Sequence, residues 1–236
     1  MGAVAVTGGN RGIGLAIVQD LLARGIATGC LSRSGLGPAG AIALRCDVTQ
    51  DGDLRAALAS LAAKAGGLRG IVNNAGIHTE GRSATLATAE FERVMATNAG
   101  AVFTACREAY PHLVAAGGGI IVNIGSFFER LGVKRNLAYC ASKAAVGAIT
   151  RCLAVEWATD NIQVVNVAPG YVETDLNRDS MAKGSALREY LERRIPGRCP
   201  GTPDAVARLV GQLIAEPNPF LTGETITLDG GQSIAH

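Results

Sequence analysis

Short, continuously apolar runs alternate with longer stretches of helical period along this chain, and that alternation leaves few folds open. Strands are expected at Ala3–Thr7, 26–31, 42–46, 70–73, 120–124, 163–167 and Thr225–Leu228. Helices are expected at 13–24, 53–64, 138–159 and Pro203–Ala215, with 88–116 forming one long helix or two. In the first helix Ile13, Ile17, Leu21 and Leu22 fall on one face. A strand such as Ile120-Ile121-Val122 has no polar face, as expected where helices cover a sheet on both sides. Strands interleaved with helices pair in parallel through right-handed crossovers. The expected architecture is therefore α/β: a doubly wound, parallel seven-stranded sheet in a single domain spanning residues 1–236. Hydrophobic residues at 48% and 31 glycines suit layers that approach closely.

Charge and cysteine usage exclude several partners. The net charge is +2 with acids and bases interspersed, which argues against a nucleic-acid groove or a polybasic membrane patch. No apolar run approaches a membrane span, and the first residues enter a strand without a leader-like pattern. Cys30, Cys46, Cys106, Cys140, Cys152 and Cys199 are scattered, with no C-x-x-C pair. They read as reduced, mostly buried thiols of a cytoplasmic protein with no metal centre.

The first strand runs into Thr7-Gly8-Gly9-Asn10-Arg11-Gly12-Ile13-Gly14 and then a helix. Glycines permit a tight turn and a close backbone approach, and the helix N-terminus offers free N–H groups to an anion. A glycine-rich turn alone is a weak signal. Its place between the first strand and the first helix makes it a dinucleotide phosphate site. The second strand ends in Leu31-Ser32-Arg33-Ser34, and no acid lies between Gly25 and Leu44. A carboxylate there would bind an unmodified ribose; Arg33 and Arg11, with the Ser32 hydroxyl, would instead clamp a 2′-phosphate. That favours NADP(H), with NAD(H) possible, against the alternative of two solvated surface arginines.

Ser126 is followed by Tyr139 and, one helical turn later, Lys143. The i, i+4 spacing sets a phenol and an ammonium on one face. A phenol titrates near pH 10, so at neutral pH it is off by roughly 3 units, or about 4 kcal/mol, as a proton donor or acceptor. A fixed cation beside it stabilises the phenolate, and a serine hydroxyl alongside would polarise a substrate oxygen. Tyr-x-x-x-Lys also occurs in helices whose lysine merely snorkels to solvent.

Taken together, the residues resemble the short-chain dehydrogenase/reductase family, in the branch of about 250 residues with a T-G-x-x-x-G-x-G loop, with similarity to 3-oxoacyl-carrier-protein reductases and related ketoreductases. The motifs occur in order: Thr7–Gly14, Asp47-Val48, Asn73-Asn74-Ala75-Gly76, and Val94-x-x-x-Asn98-x-Gly100. Then come Ser126 after Ile121-Val122-Asn123-Ile124-Gly125, Tyr139-x-x-x-Lys143, Pro169-Gly170-Tyr171-Val172-Glu173-Thr174, and Leu221-Thr222-Gly223-Glu224 to Asp229-Gly230-Gly231. The resemblance implies a Rossmann-type fold and a homotetramer or homodimer built through the long helices and the last strand. It implies a catalytic set of Asn98, Ser126, Tyr139 and Lys143. Tyr139 would be the general acid/base, Ser126 would bind the substrate oxygen, Lys143 would lower the tyrosine pKa and hold the nicotinamide ribose, and Asn98 would hold a water linking Lys143 to solvent. Cofactor contacts are implied at Gly8, Asn10, Arg11, Gly12, Ile13, Gly14, Ser32, Arg33, Asp47, Val48, Asn74, Ala75, Gly76, Tyr139, Lys143, Pro169, Gly170, Val172 and Thr174. The implied reaction is hydride transfer between NADP(H) and a ketone/secondary alcohol pair. The alternatives are an NAD-dependent dehydrogenase of a cyclic alcohol or dihydrodiol, and a non-enzymatic cofactor-sensing protein. Asn98 would otherwise cap or kink its helix, and Thr174 would otherwise be an N-cap.

Two segments depart from the family pattern. Residues 32–41 hold Gly35, Gly37, Pro38 and Gly40, so a short loop is expected where the family fits a helix. Phe127-Phe128-Glu129-Arg130 follows Ser126 where small residues are common, either as a pocket wall or as ordinary packing. His78 would line the pocket or lie at the surface, and Cys140 reads as a packed small residue. Residues 175–200 are expected to cover the substrate. Their arginines fit an anionic or carrier-bound substrate, or simply a solvated helix with i, i+4 pairs.

Overall fold

A computed structural model describes residues 2–174 and 177–235. Its strands are β1 (Ala3–Thr7), β2 (Thr28–Ser32), β3 (Ile42–Arg45), β4 (Leu68–Asn73), β5 (Gly119–Ile124), β6 (Ile162–Pro169) and β7 (Thr225–Leu228). They form one parallel seven-stranded sheet in the order β3-β2-β1-β4-β5-β6-β7, the expected Rossmann-type topology. Val6 is paired with Cys30 on one side and Val72 on the other, and Val72 in turn with Val122.

The helices are α1 (Gly12–Ala23), α2 (Asp51–Ala65), α3 (Thr88–Met95), α4 (Ala101–Ala115), α5 (Leu137–Glu156), α6 (Ala186–Arg194) and α7 (Pro203–Ala215). Two cores lie on opposite faces of the sheet. Leu54, Leu58 and Leu61 of α2 pack with Ala105, Ala109 and Leu113 of α4 and with Val146 and Leu153 of α5. Ile17, Val18 and Leu21 of α1 pack with Val206, Val210 and Ile214 of α7 on the other face. Each fully buried Leu or Ile contributes roughly 1.5–3 kcal/mol of transfer free energy, which holds both helical layers to the sheet.

Some boundaries differ from the sequence expectation. β2 starts at Thr28 rather than 26: the Ile26 N–H bonds back to the Leu21 carbonyl, and Gly25 turns the chain out of α1 at φ +73°. The stretch 88–116 is α3 and α4 joined by a π-turn, Ala96–Gly100. α5 ends at Glu156, after which Trp157 stacks on Tyr110 at 4.8 Å and Asn161 turns the chain at φ +57°. Residues 33–41 contain no helix, as their glycines predict, and leave Leu36 exposed. α6 within the 175–200 segment was not placed as an element from the sequence. No helix among the described residues is long and apolar enough to cross a membrane.

Candidate active site

Strand order reverses between β1 and β4, and the crevice at their C-terminal ends is where such a sheet binds ligands. Thr7 ends β1 there, almost wholly buried. Its Oγ1 accepts hydrogen bonds from the backbone N–H of Asn74 and of Ala75, both at 3.0 Å. The Asn74 amide returns the contact, donating to the carbonyls of Thr7 at 2.9 Å and Gly8 at 3.3 Å. These bonds latch the Asn74-Ala75-Gly76 segment to the glycine-rich turn.

The turn has the shape of a phosphate cradle. Gly8 and Gly12 sit at φ +64° and +53°, and a Cβ at Gly14 would run into the Gly8 carbonyl and the Asn74 side chain. A Cβ at Gly12 would meet only Thr174, at 3.8 Å, so space is open in front of the α1 N-terminus. The residue before that helix, Arg11, makes no side-chain cap. An anionic group fits there on geometric grounds. Thr174 faces this space, with its N–H and Oγ1 donating to Asn177 Oδ1 at 2.7 and 3.2 Å. Asn177, in turn, donates to the Val172 carbonyl at 2.9 Å. The sequence reading missed Asn177; its i+3 spacing from Thr174 was the available signal.

At the adenosine end Ser32 is buried and donates to the Leu36 carbonyl at 3.0 Å, so its hydroxyl is engaged within the turn. Ser34, also missed, joins that turn to the glycine-rich loop through Asn10 Nδ2 at 3.4 Å. Arg11 and Arg33 are exposed. Two Thr49 hydrogen bonds hold the Asp47 carboxyl below its usual range, and the nearby Arg33 charge adds to them. Val48 packs against the α2–α4 core and Val172 against the α1–α7 core, so these two side chains point inward. Gly170 is held to β7 by its N–H on the Leu228 carbonyl at 2.9 Å.

β5 and α5 bring the three chemistry-bearing residues together. Ser126 follows β5 and opens a 3-10 turn, Phe127–Arg130, accepting the Phe128 N–H on Oγ at 3.2 Å. The Ser126 side chain is near enough to the Tyr139 hydroxyl to pull its pKa down. Lys143 Nζ lies 5.7 Å from the Tyr139 ring centroid and donates to the Ile124 carbonyl at 2.7 Å. Asn98 sits in the π-turn, which turns its side chain inward, with no exposed surface. It bonds both backbone groups of Ile77, at 2.8 and 2.9 Å, and donates to Ser142 Oγ at 3.1 Å. Ser142 then donates to the Tyr139 carbonyl at 2.8 Å. Among the described contacts, then, Asn98 reaches the Tyr139–Lys143 helix through Ser142, a residue the sequence reading left out.

The family model described as enoyl-(acyl carrier protein) reductase matches residues 8–233 of this chain. The chain belongs to the short-chain dehydrogenase/reductase family. As a member it is an NAD(P)-dependent oxidoreductase acting on CH–OH groups. It is 33% identical over 233 residues to 3-oxoacyl-[acyl-carrier-protein] reductase MabA of Mycobacterium tuberculosis, covering 99% of this chain and 93% of that one. It is 34% identical over 240 residues to 2-(R)-hydroxypropyl-CoM dehydrogenase of Xanthobacter autotrophicus, covering 95% and 96%. Its fold superposes on ElxO with NADP bound at a TM-score of 0.92 and 26% identity, with 99% of each chain covered.

In this short-chain dehydrogenase/reductase burial acts on both titratable groups of α5. Burial pushes the Tyr139 phenol above its ordinary value, against the Ser126 side chain, which pulls it down. Burial also pushes Lys143 down to about 8, opposed by the charge of Glu129. The Lys143 ammonium donates to the Ile124 carbonyl, and desolvation is the largest influence on both groups.

Aromatic rings border the phenol. His78 stands edge-on to Tyr139 at 4.8 Å, with Nε2 2.5 Å from Asn136 Oδ1. Phe128 stands edge-on to Tyr139 at 6.0 Å and to Tyr171 at 5.9 Å, and Phe127 contacts Tyr171 at 5.7 Å. The phenylalanine pair is thus both packed and adjacent to the site. The cysteines divide: Cys30, Cys46 and Cys106 are buried, but Cys152 and Cys199 are exposed, contrary to the mostly buried set expected. Burial raises Cys46 and Cys106 to about 12, which makes them inert. Asp175, the first residue of the expected covering segment, lies outside the described residues.

Proposed function

We propose that this protein transfers a hydride between NADP(H) and a ketone/secondary alcohol, with Tyr139 as general acid/base. The observation that carries the reading is the convergence of Ser126, at the turn after β5, with Tyr139 and Lys143 on α5, where Lys143 Nζ lies 5.7 Å from the Tyr139 ring and donates to the Ile124 carbonyl at the end of β5. The hydride donor or acceptor is the nicotinamide, whose chemistry the protein directs by position and charge. Ser126 holds the substrate oxygen, and Tyr139 gives it a proton in reduction and takes one in oxidation. Lys143 supplies positive charge beside the phenol and binds the nicotinamide ribose. Asn98, through Ser142, keeps α5 in register with the Ile77 backbone.

The glycine-rich cradle and Thr174 would hold the phosphates. Arg33 would take the adenosine 2′-phosphate, since both Ser32 and Ser34 are engaged within their own turn. Relatives named 3-oxoacyl-[acyl-carrier-protein] reductase and 2-(R)-hydroxypropyl-CoM dehydrogenase support a ketone/secondary alcohol pair. The segment after Thr174 would cover the substrate: Met181, Leu191 and Ile195 form a small cluster against Tyr171. One domain, a cytoplasmic location and self-association through α4 and α5 belong to the same proposal. Phe103 and Val155 on those helices are exposed, 47% and 83%.

The test follows nicotinamide absorbance over ketones, acyl thioesters, sugars and cyclic alcohols with both cofactors. On any substrate found, Tyr139→Phe should lose about 10²–10⁴-fold in kcat while cofactor affinity stays unchanged. Undiminished turnover in that variant would remove Tyr139 from the mechanism.

A further inference from the structure

A buried carboxylate adjoins this site and has no part in the reaction as proposed. Glu129 is the third residue after Ser126, and its side chain is 5% exposed. Its Oε2 accepts a hydrogen bond of 2.8 Å from Asn166 Nδ2 of β6, an amide that also donates to Thr225 Oγ1 at 3.1 Å. A side chain at Gly125 would overlap that same amide. The other flank of Glu129 is α5. A Cβ built on Gly147 would stand 3.5 Å from both Glu129 carboxylate oxygens and 3.5 Å from Arg151 Nη1. Lys143, Gly147 and Arg151 are spaced i, i+4 and i+8, so they lie in one row along the helix. Glycine at the middle of that row leaves room for an acid between two cations. A carboxylate is kept out of water only where donors and cations compensate it, and here both are present.

We propose that Glu129 is a positioning residue for Lys143: its carboxylate lies on the Lys143–Arg151 row of α5, tied to β6 by Asn166, and holds the Lys143 ammonium charged and in place. The proposal rests on the role given above to Lys143. Burial drives that lysine toward its neutral form, and Glu129 is the charge that opposes burial. The other ionisable groups around it are Tyr139, Cys140 and Arg151 on its own helix, and His78 against the Tyr139 ring. Arg130 lies 3.6 Å from the second Glu129 oxygen. β5 and β6 present neutral groups, the Ile124 carbonyl, Asn123 and Asn166. On α3, Glu90 and Arg93 pair with each other at the surface. Glu129 also carries the chain directly out of the serine turn, so the same contact fixes Ser126 relative to α5.

Glu129→Gln keeps the shape and the acceptor for Asn166 and removes the charge. A lysine that must stay protonated loses its effect as pH rises through its pKa, and without Glu129 that pKa falls. The alkaline limb of kcat/KM for carbonyl reduction should therefore move to lower pH by roughly 0.5–1 unit in E129Q, with cofactor affinity unchanged. Glu129→Asp keeps the charge and should shift the limb less. An unmoved limb in E129Q, or equal shifts in E129Q and E129D, overturns the proposal. If E129Q yields no folded protein, the limb is read in Asn166→Ser, which releases the carboxylate, and an unmoved limb there overturns it as well. Lys143→Met separates this proposal from the one beneath it. Retained turnover in K143M removes the lysine's role and Glu129 with it, whereas an inactive K143M beside an unmoved E129Q limb removes only Glu129.

Discussion

Thr7→Val tests the latch between the glycine-rich turn and the Asn74-Ala75-Gly76 segment with almost no change of volume. Thr7 is 2% exposed, and its Oγ1 accepts the N–H groups of Asn74 and Ala75 at 3.0 Å each while lying 3.4 Å from the Val72 carbonyl. Valine fills the same space and leaves both N–H groups without an acceptor. An unpaired buried donor costs about 1–3 kcal/mol, and Asn74 and Ala75 are partly buried, so the low end applies to each: about 2 kcal/mol in total. For a chain of this size 1 kcal/mol moves Tm by roughly 2–4 °C, which predicts a fall of roughly 4–8 °C. Thr7→Ser, which keeps the hydroxyl and loses a methyl, should cost about 1 kcal/mol. The assay is thermal unfolding by circular dichroism without cofactor, at one protein concentration because self-association shifts Tm. Cofactor affinity should fall with stability, since the freed backbone borders the phosphate cradle. A Thr7→Val Tm within about 2 °C of the parent would mean that the hydroxyl holds nothing, and the latch would be refuted.

Gly14→Ala should abolish cofactor binding or folding, because its Cβ would meet the Gly8 carbonyl rather than a flexible side chain; a dinucleotide titration of the purified variant reads this. Arg33→Ala should raise KM for NADPH by about 10-fold or more and leave KM for NADH nearly unchanged, since one charge-assisted phosphate contact contributes roughly 1.5–3 kcal/mol. Equal effects on the two cofactors would leave Arg33 as a solvated surface charge.

Much of the fold was legible from short-range pattern. The apolar run through Ile120, Ile121 and Val122 marks a strand buried on both faces, and β5 is the fifth, interior member of the order given above. The glycines of 32–41 forbid a helix there, and none forms. Tyr139 and Lys143 share a helical face because 3.6 residues make a turn, whatever the rest of the chain does. Less legible were positions set by partners far along the sequence. Ile26 is apolar enough for a strand, yet its N–H is taken by Leu21 at the end of α1. Asn98 is directed by a π-turn and by Ile77, 21 residues away. Glu129 read as one charge in an odd tetrapeptide until Asn166, 37 residues on, was seen to hold it.

The sequence by itself determined the order of strands and helices, the glycine cradle and the pairing of a phenol with an ammonium. Each of these follows from side-chain size, backbone freedom or helical period within about ten residues. Only the tertiary structure decided what surrounds those groups. Spacing places the phenol and the ammonium on one helical face. Folding buries both groups, which raises Tyr139 and lowers Lys143 to about 8, and it turns the ammonium onto the Ile124 carbonyl. Desolvation depends on everything packed around a site, and no local stretch of sequence carries that information.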